Sequence, residues 1–187
     1  MSWFSRKGKG FDPASDETPP PAAPPEPPRA RVAPLSQQRL RAALDRHDWH
    51  YRIDDEGDIT GRWDDDIITF LLRGDNGEVL NVLGYMHEDL PMGRLDEVRY
   101  ALEEWHRAHL WPTCFWRDNE DAGLTFSVGG AVAVDYEHGV TDDQLDLHLS
   151  CAISTIGSAM ADVRSRLGMS ESGLRLRGLT GASPPQQ

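Results

Sequence analysis

From Ser36 onward the apolar positions follow two periods. They recur every three to four residues in three stretches and alternate with polar residues between them. Leu40, Ala43, Leu44 and His47 share one face behind Ser36, a good N-cap, which predicts a first helix ending near Asp48. Trp49, Tyr51 and Ile53 then alternate with His50 and Arg52, the period of a half-buried strand. A turn built on Gly57 leads to a strand from Ile59 to Trp63 and a second acidic turn at Asp64 to Asp66. Ile67 to Arg73, the Asp75-Asn76-Gly77 turn and Val79 to Met86 complete a four-stranded meander, the turn residues being those that tolerate positive φ.

Leu95, Val98, Leu102 and Trp105 mark a second helix, which must stop by Leu110 because Pro112 disfavours a helical Trp111. Strands follow over Thr113 to Arg117 and Leu124 to Tyr136, joined by a turn over Asp118 to Gly123, and Gly129-Gly130 predicts a bulge in the longer strand. The last helix opens with a capping box, Thr141 with Gln144, and with Asp142 and Asp143 at the positive end of its dipole. Leu145, Leu149, Ala152, Ile153, Ile156, Met160, Val163 and Leu167 hold its buried face, Arg164 and Arg166 suit its last turn, and Gly168 ends it. The order α-β-β-β-β-α-β-β-α predicts an α+β fold, an antiparallel sheet with helices packed against it.

Composition separates this domain from its ends. Nine of the 13 prolines lie between Pro13 and Pro34, so residues 1–34 read as a disordered leader, residues 35–174 as one domain, and residues 175–187 as a second disordered tail. The leader carries a slight positive excess, which leaves the rest more acidic than the chain total of −12. Nucleic acid binding needs a basic stripe that such a body lacks, so a nucleic acid partner is not expected. No run is long and apolar enough to span a membrane and no signal-peptide core follows the start, which points to the cytoplasm. Trp3, Phe4 and Phe11 among Arg6, Lys7 and Lys9 offer at most a marginal membrane contact. Cys114 and Cys151 share no metal-type spacing and read as buried thiols.

Candidate chemistry is sparse. An EF-hand register on Gly57 or Gly77 puts Arg52 or Leu72 at the first ligand position, and on Gly123 it leaves Ala122 and Gly129 where carboxylates are needed. His106 and His109 have the spacing of two zinc ligands but no third partner. There is no nucleophile elbow and no phosphate-binding loop, so neither a metal nor another cofactor is expected. A hydrolase-type site would have to be built from Asp64 to Asp66 with His87 or His138. The aromatic residues are the better lead. Trp105 and Trp49 read as core. Trp63, Tyr85, Trp111 and Trp116 are the candidate partner-binding residues, Trp116 because it lies in opposite phase to Phe115.

Trp63-Asp64-Asp65 before an apolar strand, Asp75-Asn76-Gly77-Glu78 before Val79 to Val82, a second helix ending near Trp105, Trp111-Pro112, and Gly139-Val140-Thr141-Asp142-Asp143-Gln144-Leu145 opening the last helix occur in this order. Together they resemble the YbjN-domain family of bacterial sensory transduction regulators, over about Leu35 to Leu167. The resemblance implies a curved antiparallel sheet similar to that of class I type III secretion chaperones, and brings no catalytic residues with it. The expectation is a non-enzymatic regulatory or chaperone-like module that binds a protein or peptide segment. It is expected to pair as a homodimer through apolar surface left uncovered by a single layer of helices. The alternatives are an adaptor recruited to membranes by residues 1–11, and a small hydrolase with an unrecognised site.

Overall fold

In the computed structural model, residues 31–119 and 123–169 are described. Ser36 caps α1 (Gln37–Arg46), its hydroxyl accepting the Arg39 backbone N–H. The meander is β1 (Tyr51–Ile53), β2 (Ile59–Trp63), β3 (Asp66–Arg73) and β4 (Val79–Tyr85). A two-residue strand, β5 (Leu90–Pro91), and one tight helical turn lead into α2 (Leu95–Ala108). The chain closes with β6 (Thr113–Asp118), β7 (Thr125–Asp135) and α3 (Asp142–Arg166). Thr141 makes the capping box with Gln144, and Gly168, at φ +63°, turns the chain after α3. The predicted leader up to residue 30, which includes the basic and aromatic residues 1–11, residues 170–174 of the predicted domain, and the whole predicted tail over residues 175–187 lie outside the described residues.

All the strands form one antiparallel sheet, in the order β1-β2-β3-β4-β7-β6. β5 extends the β4 edge of β7, a pairing too short to leave a periodic signal in the sequence. Successive side chains alternate between the two faces. Ile59, Ile68, Phe70, Leu80, Val82, Val128 and Val132 point to the side that carries the helices and are buried there. α3 lies across β4 and β7, with α1 and α2 packed on its flanks. Residues 33 and 34 are tied to this body: Ala33 bridges Val140, and the Arg39 guanidinium donates to the carbonyls of Ala33, Pro34 and Val140 and to Asp142.

The expected bulge at Gly129-Gly130 is absent. The β4–β7 ladder runs unbroken through Tyr85↔Gly129 and Gly84↔Gly130, and the β6–β7 ladder passes the same residues without a slip. The glycines make room for side chains instead. A Cβ at Gly84 would collide with Ile156 of α3. One at Gly130 would lie 2.9 Å from Pro112 and 3.5 Å from Met160, and one at Gly129, on the opposite face, 2.7 Å from Phe115. Gly84 and Gly130 sit side by side, so together they form a notch that lets α3 approach the sheet.

Two further expectations are corrected. Cys114 is buried, and its burial first, with Asp162 nearby, pushes the thiol up to about 12; Cys151 is exposed, on the outer side of α3. A helix lying on a sheet buries only one stripe, and Cys151 falls outside it. His47 likewise is not buried but stacks on Trp49 at the domain edge, with ring centroids 4.3 Å apart.

The notch predicts opposite outcomes for two glycines. Gly84→Ala should lower stability by about 1–3 kcal/mol, because Ile156 is β-branched and buried and cannot swing away. Gly157→Ala, on the exposed side of α3 with open space around it, should raise stability by about 0.5–1 kcal/mol. Urea denaturation of the two variants measures both.

Candidate functional site: the uncovered sheet face

The second face of the sheet has no element packed on it among the described residues, since all three helices lie on the first. Strand pairing fixes its rows. One row crosses the sheet as Arg62, Ile67, Tyr85, Gly129 and Phe115; the next runs Arg52, Thr60, Thr69, Leu83, Ala131 and Thr113. Tyr85 and Phe115 meet edge to face over Gly129, with centroids 5.5 Å apart, so the glycine is covered by an aromatic pair from its two neighbouring strands. Ile67, Leu83, Tyr85 and Phe115 are half-buried against one another and remain accessible.

The four candidate aromatics do not form one patch. Tyr85 lies at the centre of the open face. Trp111 is 46% exposed in the α2–β6 loop. Trp63 lies on the helix side, where it continues an aromatic ladder from His47 through Trp49 to Phe70, at 6.0 Å from Trp49 and 5.7 Å from Phe70. Trp116 also packs on the helix side, edge to face with Phe126 and with the Arg99 guanidinium 5.5 Å over its ring. The phase in β6 is therefore the reverse of the expected one: Cys114 and Trp116 face the helices, and Phe115 faces out. Both phases of this strand carry an aromatic residue. The alternation of Thr113 and Arg117 with buried Cys114 was the signal that places Phe115 outside.

The polar residues proposed for a hydrolase-type site do converge in part. Asp66 is the buried first residue of β3, and its carboxylate accepts the His87 backbone N–H at 3.2 Å. His138 lies elsewhere, in the turn after β7. Arg164 of α3 fills the centre. Its guanidinium pairs with both oxygens of Asp66 and reaches Glu88 at 2.7 Å, while His87 Nδ1 lies 3.3 Å from Glu88 and 3.6 Å from Asp66. Asp66, His87 and Glu88 are spaced closely enough to share a cation, but the guanidinium already occupies the point on which they converge. This is a clamp that fastens the end of α3 to the β3 and β4 ends. His106 and His109 are also engaged separately: His106 Nε2 accepts the Cys114 N–H at 2.8 Å, and His109 stacks on Trp105.

Burial alone would raise the Glu88 carboxyl, but the hydrogen bonds and charge of Arg164 hold it below the ordinary 4.5. A folded value below the unfolded one contributes stability that is complete above about pH 4.5 and is lost as pH falls through the folded value. Stability should therefore decline on acidification below about pH 4.5, and Glu88→Gln should flatten that decline. Arg164→Met, which leaves Asp66 buried without a counter-charge, should cost about 3–5 kcal/mol at neutral pH, and adding Asp66→Asn should recover part of the loss. Denaturant midpoints across a pH series check all three.

Three comparisons bear on this architecture. No curated protein matches the chain. The fold is similar to that of YbjN from E. coli, described with its crystal structure as "a putative transcription regulator", with a TM-score of 0.63 and 14% sequence identity over 73% of this chain and 96% of that one. Residues 36–163 match the family described as "Putative bacterial sensory transduction regulator". That match runs from the cap of α1 almost to the end of α3 and takes in the sheet, the notch and most of the helical layer: the chain belongs to the YbjN family.

Proposed function

We propose that this chain is a non-enzymatic regulatory module that binds a partner polypeptide on the uncovered sheet face. The observation that supports it is the one-sided fold. The helices cover one face of the sheet, and the other presents Ile67, Leu83, Tyr85 and Phe115 with no described element over them. A contiguous accessible apolar strip of this kind is characteristic of protein interaction surfaces. The family's description as a sensory transduction regulator fits a protein that acts by contact. A hydrolytic reading has less support, because among the described residues Arg164 occupies the point where His87 converges with the Asp66 and Glu88 carboxylates.

The homodimer expected from the sequence is a poorer occupant of this face. A twofold axis along the strip would set Arg52 and Arg62 against their copies, at a cost in like-charge repulsion, and an axis across it would offer them the Asp89 carboxylate, already held by Ser127 and Asn119. No described helix is long and apolar enough to cross a membrane.

The test compares proteins retained from a cell extract by the full chain and by a Leu83→Ser/Tyr85→Ser variant with an unchanged circular dichroism spectrum. The expected result is a set of proteins held by the native chain and lost by the variant. Identical sets would contradict the proposal.

A further inference from the structure

The open face differs from the rest of the molecule in charge. Among the described residues, the arginines without a carboxylate partner are Arg31, Arg41, Arg52, Arg62 and Arg117, whereas Arg39, Arg46, Arg73, Arg94, Arg99, Arg107, Arg164 and Arg166 all make ion pairs. In a chain of net charge −12, three of those unpaired arginines project from one sheet face. Arg52 and Arg62 lie on neighbouring strands at one end of the apolar strip, beside a depression of about 420 Å³ that His50, Thr60 and Ile67 also line. Asp64 and Asp65 follow in the adjoining turn, and neither pairs with Arg62.

The opposite end is different. Arg117 has Ser127 as its strand partner, and Ser127 and Asn119 hold the carboxylate of Asp89 at 3.0 and 2.8 Å, so a negative charge already stands at that corner. The face therefore has a polarity, with unpaired positive charge at the β1–β2 end and an apolar strip running from there to Phe115. Strands spaced about 4.8 Å apart put Arg62 and Phe115 roughly 19 Å from one another, the length of about six extended residues.

Resting on the reading of this face as a protein-binding surface, we infer that its occupant is a polypeptide segment with acidic residues at one end and an apolar run behind them. The carboxylates lie against Arg52 and Arg62, where planar guanidinium groups bind them in forked pairs. The apolar run lies over Ile67, Leu83, Tyr85 and Phe115. Charge complementarity selects this occupant over a second copy, which would offer Arg52 and Arg62 either its own arginines or the Asp89 carboxylate, already engaged by Ser127 and Asn119. It also selects it over a nucleic acid strand, whose continuous phosphate charge would meet the acidic remainder of the domain.

The experiment selects random 12-residue peptides displayed on phage with the full chain, then measures binding of the enriched synthetic peptides by fluorescence anisotropy. The native chain, Arg52→Glu/Arg62→Glu and Leu83→Ser/Tyr85→Ser are compared, with Thr69→Arg as a second face variant should the double serine variant unfold. Enriched peptides are expected to carry Asp or Glu at one end of an apolar run. They should bind the charge-reversed variant at least tenfold more weakly and lose affinity as salt rises. Peptides without acidic bias, or bound equally by the charge-reversed variant, overturn the inference; if the face variants still lose them, the broader proposal stands. Peptides bound equally by every variant, or no enrichment at all, contradict both. A fifteen-nucleotide oligo(dT) bound through the arginines in place of peptides, or a dimer in sedimentation that the face variants abolish, overturns the inference in favour of that occupant.

Discussion

The close approach of α3 to the β4–β7 pair is the contact on which the rest of the structure depends. It is possible because Gly84 and Gly130 stand side by side and present no side chains, so that Ile156 sits over Gly84 while Met160 and Pro112 share the space over Gly130. Leu145, Leu149, Ala152, Ile156, Ala159, Met160 and Val163 are then buried along one line. Each large member contributes about 1.5–3 kcal/mol when fully removed from water. With α3 in that position, α1 and α2 have a ridge to pack on, and among the described residues the helical layer lies on a single side of the sheet.

The same geometry accounts for the polar clamp and for the open face. A helix as long as α3 ends beyond the centre of the sheet, and its last turn carries Arg164 to the ends of β3 and β4, where Asp66 and Glu88 meet it. The clamp fixes the direction of the helix that the notch seats. On the reverse of β7, Gly129 is covered not by a helix but by Tyr85 and Phe115, so the two adjacent glycines serve opposite faces. A one-layer sheet of this kind hides half of its side chains and leaves the other half to solvent or a partner.

Most of the fold was legible because hydrophobic period, caps and turns agreed with one another. The capping box at Thr141, the glycine after α3 and the hairpin turn at Asp75 to Gly77 lie where local chemistry placed them. The role of the glycine pair was not legible, since a bulge and a notch use the same residue and only the facing helix distinguishes them. The site was read in part. Tyr85 and Trp111 are accessible, but Trp63 and Trp116 pack on the helix side, because an indole beside a turn or in an aromatic-rich strand gives no sign of which face it takes. Arg52 and Arg62 do not stand out in the sequence, where exposed arginines are common. Their significance comes from standing unpaired on the same face, which is a property of strand register.

The account stands or falls on whether that face is uncovered in the whole chain. Carbene footprinting of the full-length protein in solution, read by mass spectrometry at single residues, tests this directly. Tyr85 and Phe115 should be labelled well above Phe70 and Phe126, whose rings are almost wholly buried under the helices. Labelling of Tyr85 and Phe115 as low as that of Phe70 and Phe126 would show the face to be covered and would contradict the account.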